Sequence, residues 1–144
     1  MNRPTIKAKR ELSADVVFAN WQEQLDSAPQ ILVGLSGGLD SSVLLSLVCE
    51  VVAAEKITAV HINHGLSPNA EHWQQQSAEF CRSLGVRLHS ESVTVHEVGG
   101  GLESAARDAR YQVFEKLIVE EGILLLGHHA DDQVETVLYR MMRG

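Results

Sequence analysis

The chain has 144 residues, of which 44 % are hydrophobic and 22 % charged, and this composition is typical of a single globular domain with a buried core. Its formal net charge of −7 argues against a surface built mainly to bind nucleic acid, which would normally be basic. No segment has the ~18 consecutive apolar residues that span a membrane, and the polar first residues lack the apolar core of a signal peptide, so we expect a cytoplasmic protein.

Apolar periodicity predicts alternating strands and helices. A helix over residues 14–25, with Ser13 as its N-cap, belongs to an N-terminal helical extension over residues 1–29. Beyond it, the pattern predicts strands at 31–35, 57–62, 86–94 and 123–127 and helices at 41–54, 70–84, 102–121 and 131–143. This alternation favours parallel strands joined by crossover helices, so we expect an α/β, Rossmann-like three-layer fold with a parallel sheet.

A glycine-rich loop joins the first strand of this sheet to its helix. It consists of Ser36, Gly37, Gly38, Leu39, Asp40 and Ser41. The glycines let the backbone approach a ligand closely, and the first amides of the helix attract an anion, so we predict a phosphate site. Asp40 would repel phosphate unless Mg²⁺ or a positively charged neighbour intervenes. The loop is not a Walker A sequence, because the Lys-Ser/Thr pair is missing. A plain turn is the alternative.

Two further strand ends carry polar residues. The second strand runs into His61, Asn63 and His64, and the fourth runs into Gly127, His128 and His129. Ligands bind at the carboxyl ends of strands in an open parallel sheet, so we expect these clusters and the loop to meet in one crevice. We place both histidines of the second strand with the loop as nucleotide ligands and assign Asn63 no role.

Carboxylates follow the fourth strand. In a helix over residues 131–143, Asp132 and Glu135 share a polar face and together could hold an ammonium group. The alternatives are a helix cap at Asp131 or Asp132 and a solvated polar face. A transition-metal site is disfavoured, because the spacing HExxH is absent.

Positive charge enters with the third crossover. Arg107 and Arg110 are three residues apart in the predicted helix and therefore lie on one face, which suits a phosphate or a carboxylate. Ion pairs with Glu103 or Asp108 are the alternative.

The loop matches the pattern Ser-Gly-Gly-x-Asp-Ser of the PP-loop ATP pyrophosphatases at every fixed position, and this resemblance implies ATP cleaved between its α and β phosphates. The runs HINHGLSPNA, GGGLESAARDARY and GHHADDQVETVLYRMMRG resemble the tRNA(Ile)-lysidine synthetase family. The resemblance covers roughly residues 30–144, which would form a PP-loop ATP-binding catalytic domain. Because family members continue with further domains that hold the tRNA, we expect the domain to be incomplete.

The resemblance implies a reaction and its residues. The C2 oxygen of the wobble cytidine of tRNA(Ile) is adenylated, and the side-chain amine of L-lysine then displaces AMP to give lysidine. The family implies that Asp40 helps to place Mg²⁺ and pyrophosphate, while Arg107, Asp132 and Glu135 act around the lysine and the reacting phosphate. We add Arg110, His128 and His129 to the substrate site.

Two other functions remain as alternatives. A PP-loop tRNA 2-thiolation enzyme would rely on cysteines, often paired as CxxC, whereas Cys49 and Cys81 are far apart in the sequence and lie in apolar stretches typical of buried thiols. We therefore expect no disulfide. A non-catalytic nucleotide-binding module would not need the carboxylates and arginines. We expect tRNA affinity to come mostly from outside this acidic chain.

Overall fold

The computed structural model describes residues 13–65, 67–96, 99, 101–130 and 133–140, and from residue 128 onward it describes the backbone alone. The helices are α1 (Ala14–Val17), α2 (Gln22–Ser27), α3 (Leu39–Val51), α4 (Ala70–Leu84) and α5 (Leu102–Leu117), with a 3-10 turn at Ala54–Lys56. The strands are β1 (Ile31–Gly34), β2 (Ile57–Asn63), β3 (Arg87–Ser92), β4 (Ile123–Ala130) and β5 (Gln133–Arg140).

These strands form one sheet in the order β3-β2-β1-β4-β5. The first four are parallel, and Ile31 at the start of β1 lies opposite Ile57 of β2 and Ile123 of β4. The predicted α/β fold with a parallel sheet is therefore confirmed. The chain turns from β1 to one neighbour through α3 and returns to β4 on the other side of β1 through α5, so β1 and β4 flank a topological switch point.

The sheet separates two apolar cores because alternate residues of each strand point to opposite faces. Ile31 and Val33 of β1 pack in the core that contains α3 and α4, whereas Leu32 packs in the core that contains α5. All three side chains are fully buried. Helices thus cover both faces, as a parallel sheet requires.

The N-terminal segment is not the single helix predicted over residues 14–25. It forms two short helices, α1 and α2, because the chain leaves the helical conformation at Phe18, and the β-branched Val16 and Val17 and the nearby Asn20 are weak helix formers. Phe18 and Leu25 are buried in the same core as α3. The division of the chain at residue 29 stays a prediction.

The helix predicted over residues 131–143 is wrong for the part that the structure describes. Residues 133–140 form β5, which pairs antiparallel with β4. This stretch contains Val134, Thr136, Val137 and Tyr139, which favour strands, and β4 would otherwise leave backbone donors and acceptors open along one edge. A short apolar run fits a strand as well as a helix. The argument that Asp132 and Glu135 share a helical face therefore fails.

Candidate functional site

A cavity of about 550 Å³ lies at the carboxyl ends of β1, β2 and β4, under α5. It is lined by Gly34, Leu35, Ser36, Ser41, Val60, Ile62, His64, Glu103, Arg107, Arg110, Tyr111, Phe114, Leu126 and Gly127. Gly34 ends β1 and Leu35 follows it, whereas Leu126 and Gly127 lie in β4 just beyond its last pairing with β1. The cavity therefore occupies the switch point, where an open α/β sheet binds its ligand.

Serine hydroxyls fold the glycine-rich loop on itself. The amide of Ser36 donates to Oγ of Ser41 at 3.0 Å, and the two serine oxygens lie 3.0 Å apart. The amide of Gly38 donates to Oγ of Ser36 at 3.3 Å, and its carbonyl accepts from the hydroxyls of Ser41 at 3.2 Å and Ser42 at 2.9 Å. These bonds fix the loop at the start of α3, where the first amides of the helix have no carbonyl within the helix to donate to.

Neighbouring elements approach the loop closely from two sides. Gly37 has a φ of 88°, a left-handed conformation that favours glycine, and it lies against Trp73 of α4. A Cβ built on Gly127 of β4 would lie 3.4 Å from the carbonyl oxygen of Asp40. The loop and the first turn of α3 are thus held between α4 and β4.

One face of α5 forms the basic wall of the cavity. Glu103, Arg107 and Arg110 follow at helical spacing and all line the cavity. The guanidinium carbon of Arg107 lies 5.6 Å from the ring centre of Tyr111, a cation–π distance, and this ring meets Phe114 edge-to-face at 6.0 Å.

Neither arginine is neutralised within the part of the chain that the structure describes. The two ion pairs found there both involve Glu91, and neither includes Arg107 or Arg110. The alternative expectation, an ion pair with Glu103 or Asp108, is therefore not met. A chain of net charge −7 thus presents to this cavity two guanidinium groups that form no ion pair with any side chain the structure describes.

His61 in β2 and His64 just after β2 have different positions. His61 is 3 % exposed, and its Nδ1 lies 2.8 Å from the carbonyl oxygen of Leu35. Because a carbonyl only accepts, Nδ1 carries a proton, and His61 ties β2 to the residue that precedes the loop. It does not line the cavity, so the structure does not place it as a direct ligand.

His64 does line the cavity. Its Nδ1 is buried and has no hydrogen-bond partner among the described residues. Burial, the positive charge of Arg110 and the proximity of His61 lower the pKa of His64 below its ordinary value of 6.5, so the imidazole is neutral at pH 7.

The cavity unites only part of the predicted site. Ser36, Ser41, His64, Arg107 and Arg110 line it together. Gly37, Gly38, Leu39 and Asp40 lie in the loop or the first turn of α3 beside it. The backbone of His128 pairs with that of Glu135 in the β4–β5 register, and His129 follows it in β4, while Asp132 lies outside the described residues. No cluster of three or more metal-ligating side chains occurs within the described ranges.

Sequence reasoning missed two contributors. Glu103 was considered only as an ion-pair partner, although its spacing of four and seven residues from the arginines could have placed it in the cavity. Trp73 belongs to no recognisable motif, and the sequence does not show that the first turn of α4 contacts the loop.

Both cysteines are free thiols. Burial raises the pKa of Cys49, and burial together with its neighbour Cys49 raises the pKa of Cys81 to about 11.

Among the helices of the described residues, none combines the length and apolarity needed to cross a membrane.

A parallel sheet with a serine- and glycine-rich loop at its switch point defines an α/β nucleotide-binding domain of the PP-loop type. The chain belongs to the PP-loop domain family, which matches residues 7–144.

Its relatives confirm the resemblance inferred from the motifs. It is 45 % identical over 135 residues to the tRNA(Ile)-lysidine synthase of Chromobacterium violaceum, covering 91 % of this chain and 31 % of the relative. It is 46 % identical over 130 residues to the tRNA(Ile)-lysidine synthase of Pseudomonas aeruginosa, covering 88 % and 28 %. The chain thus spans about a third of the length of the curated relatives it matches.

Solved structures share the fold at lower identity. An NH3-dependent NAD synthetase from Campylobacter jejuni matches 77 % of this chain and 53 % of its own, with a TM-score of 0.58 and 15 % identity. A U34-tRNA thiolase from Methanococcus maripaludis, which holds a [4Fe-4S] cluster, matches 83 % and 47 %, with a TM-score of 0.56 and 17 % identity. These similarities concern the fold alone.

Proposed function

We propose that this chain is the ATP-binding catalytic part of an enzyme that joins L-lysine to C2 of the wobble cytidine of tRNA(Ile). The products are lysidine, AMP and pyrophosphate, formed through an adenylated tRNA. The observation that carries the proposal is the arginine pair of α5, which forms no ion pair among the described residues and lines the same cavity as the glycine-rich loop. The similarity to lysidine synthases over about nine-tenths of the chain supports the choice of reaction.

The cavity fits ATP in size and chemistry. Small-molecule sites enclose about 300–1,000 Å³, and this cavity has about 550 Å³. Val60, Ile62 and Leu126 offer an apolar surface for the base, while the arginines and the loop amides suit the phosphates.

Charge stabilisation is the chemical task of this site. Attack of the cytidine oxygen on the α-phosphate breaks the bond to the β-phosphate, and negative charge builds up on the departing pyrophosphate. The loop amides would hold that pyrophosphate, and Arg107 would stabilise the charge on the reacting phosphate. Asp40 would bind Mg²⁺ together with phosphate oxygens, since this ion is usually held by one or two carboxylates and substrate phosphates.

The lysine site rests on the family resemblance. Asp132 and Glu135 would hold the ammonium group, and Arg110, His128 and His129 would line the same site. In the register of β4 and β5, His128 lies opposite Glu135, which supports placing these two residues in one site. The carboxylates would act as separate acceptors, not as one helical face.

The cysteines do not favour tRNA thiolation. Cys49 on α3 and Cys81 on α4 both pack in or against the apolar core, and their raised pKa values keep them as thiols at pH 7. The thiolate is the reactive form, so neither residue is suited to sulfur transfer.

The proposal is tested by product analysis with the complete protein. With ATP, Mg²⁺, L-lysine and a tRNA(Ile) transcript, we expect AMP, pyrophosphate and lysidine in equal amounts. Asp40→Asn should reduce the rate by about two orders of magnitude, the usual loss when a positioned electrostatic group is removed. Asp15→Asn, an exposed acidic position on α1, is the matched control and should leave the rate unchanged. ATP binding without turnover would instead indicate a nucleotide-binding module.

A further inference from the structure

Gly37 takes no part in the hydrogen bonds that fold the glycine-rich loop. Within the described residues, the bonds that fold the loop join Ser36, Gly38, Ser41 and Ser42, and none joins Gly37. Glycine is also the residue with the widest conformational freedom. Its left-handed φ of 88° therefore needs another source of order.

Trp73 supplies that contact. The Cβ position on Gly37 lies 3.3 Å from Cβ of Trp73, 3.5 Å from Cγ and 3.9 Å from Cδ2, so the indole root packs directly on the glycine. An added methyl group would be tighter against Trp73 than ordinary van der Waals contact, so Trp73 limits the movement of Gly37 toward α4.

The rest of α4 makes Trp73 a rigid support. Its amide donates to the carbonyl of Asn69 at 3.0 Å, which places the residue in the first turn of α4. Ser77 and Cys81, four and eight residues later, are buried on the same face of the helix. Trp73 ends this buried stripe, and its side chain stays 40 % exposed because its contacts go to the loop and not to the core.

We propose that Trp73 is a positioning residue of the phosphate site: it holds Gly37 in the left-handed conformation that aims the loop at pyrophosphate and at the phosphates of ATP. This inference rests on the proposed function only in so far as that function places ATP phosphates in the loop. Trp73 does not need to touch the ligand. It removes loop conformations that cannot bind.

Loss of the ring atoms of this contact, Cγ and Cδ2, should weaken binding without altering the bound state, because Cβ alone leaves the loop more room to move. A loop that is competent about a tenth of the time has an apparent affinity about tenfold lower. For Trp73→Ala in the complete protein we expect about a tenfold rise in the Kd for inorganic pyrophosphate and in the KM for ATP. The kcat at saturating ATP should stay within about twofold, because the interactions made by the bound loop are intact.

Titration calorimetry with pyrophosphate and ATP–Mg²⁺, combined with steady-state kinetics, measures both effects. Trp73→Phe keeps an aromatic ring on Gly37 and should restore most of the affinity. Trp21→Ala is the matched control, since Trp21 has a similar exposure, 42 %, and lies between α1 and α2, away from the cavity.

The outcomes separate this inference from the proposed function. A folded Trp73→Ala protein that binds pyrophosphate as tightly as its parent contradicts the positioning role, and so does a fall in kcat with no change in KM. A parent protein that binds neither pyrophosphate nor ATP contradicts the proposed function itself. A parent that binds both but forms no lysidine contradicts the proposed reaction and leaves the role of Trp73 supported if the affinity loss is seen.

Discussion

The position of Arg107 in the cavity depends on its neighbour Tyr111 on α5. Arg107 is held by the ring of Tyr111, so its guanidinium is oriented before a ligand arrives. A planar fork of donors fits two phosphate oxygens at once, which a lysine ammonium cannot do. We therefore expect geometry to matter at this position in addition to charge.

Arg107→Lys should separate geometry from charge. We expect the ATP-dependent rate to fall about tenfold in this variant and about a hundredfold in Arg107→Ala, since the first keeps the positive charge and the second removes it. Pyrophosphate-exchange kinetics measure both. Arg82→Ala, at an exposed site in the last turn of α4, serves as the control. Equal losses in the two Arg107 variants would assign the whole effect to the fork.

His64 should make the free energy of unfolding depend on pH. Its folded pKa lies below the ordinary 6.5, so in mildly acidic solution the unfolded chain binds a proton that the folded chain binds less readily. His64 therefore leaves the free energy of unfolding unchanged above pH 7, and it lowers this free energy as the pH decreases through 6.5 toward the folded pKa. Glu91, whose pKa is lowered by His89 and Lys116, acts only at more acidic pH, around and below its ordinary 4.5.

Urea titrations at pH 7.5, 6.5 and 5.5 measure this effect. His64→Asn should show a flatter dependence on pH than the parent. His72→Asn, at an exposed site on α4, should follow the parent. The interpretation is wrong if His64→Asn and the parent lose the same stability between pH 7.5 and 5.5.

Local sequence patterns were sufficient to predict most of the strands and helices. Alternating apolar runs located β1 to β4 and their helices, and α4 was predicted with the bounds that it has. β5 could not be predicted, because residues 133–140 have an apolar spacing that fits both a helix and a strand. The open edge of β4 decides between them, and that edge exists only in the folded sheet.

For the functional site too, local patterns predict some residues but not the contacts between residues far apart in the sequence. The loop and the arginines have local signatures, namely glycines at a strand end and cations at helical spacing. Trp73 lies 36 positions after Gly37, and no local pattern connects the two. The sequence also does not show that His61 of β2 bonds to the backbone before the loop, whereas His64, just after β2, lines the cavity.

The end of α4 offers a test of stability that avoids the site. Gly85 has a φ of 69°, and the amides of Gly85 and Val86 close the helix on the carbonyls of Arg82 and Cys81. An added Cβ would meet no atom within 4 Å, so the cost of Gly85→Ala comes from the backbone alone. We expect a loss of about 1–2 kcal/mol in urea unfolding, with an unchanged affinity for ATP. A loss of affinity at equal folding would show that the end of α4 is coupled to the loop.

Across the whole molecule, the charges are divided between surface and cavity. The chain has 19 acidic and 12 basic side chains, yet its main cavity is lined by two arginines and one glutamate. Such an arrangement favours a small anion at the site over a polyanion on the surface. The relatives are about three times longer than this chain.

The last prediction follows from this division. Binding to a nucleic-acid backbone depends on several cationic side chains that release counterions, and in a chain of net charge −7 the cationic side chains are outnumbered by acidic ones. We expect the 144 residues alone to form no specific complex with tRNA(Ile) in an anisotropy titration at about 0.15 M salt. The complete protein should bind with an affinity that falls steeply as salt rises. An unrelated tRNA is the control for specificity. Tight binding by these residues alone, selective for tRNA(Ile), would show that the acidic domain itself reads the tRNA.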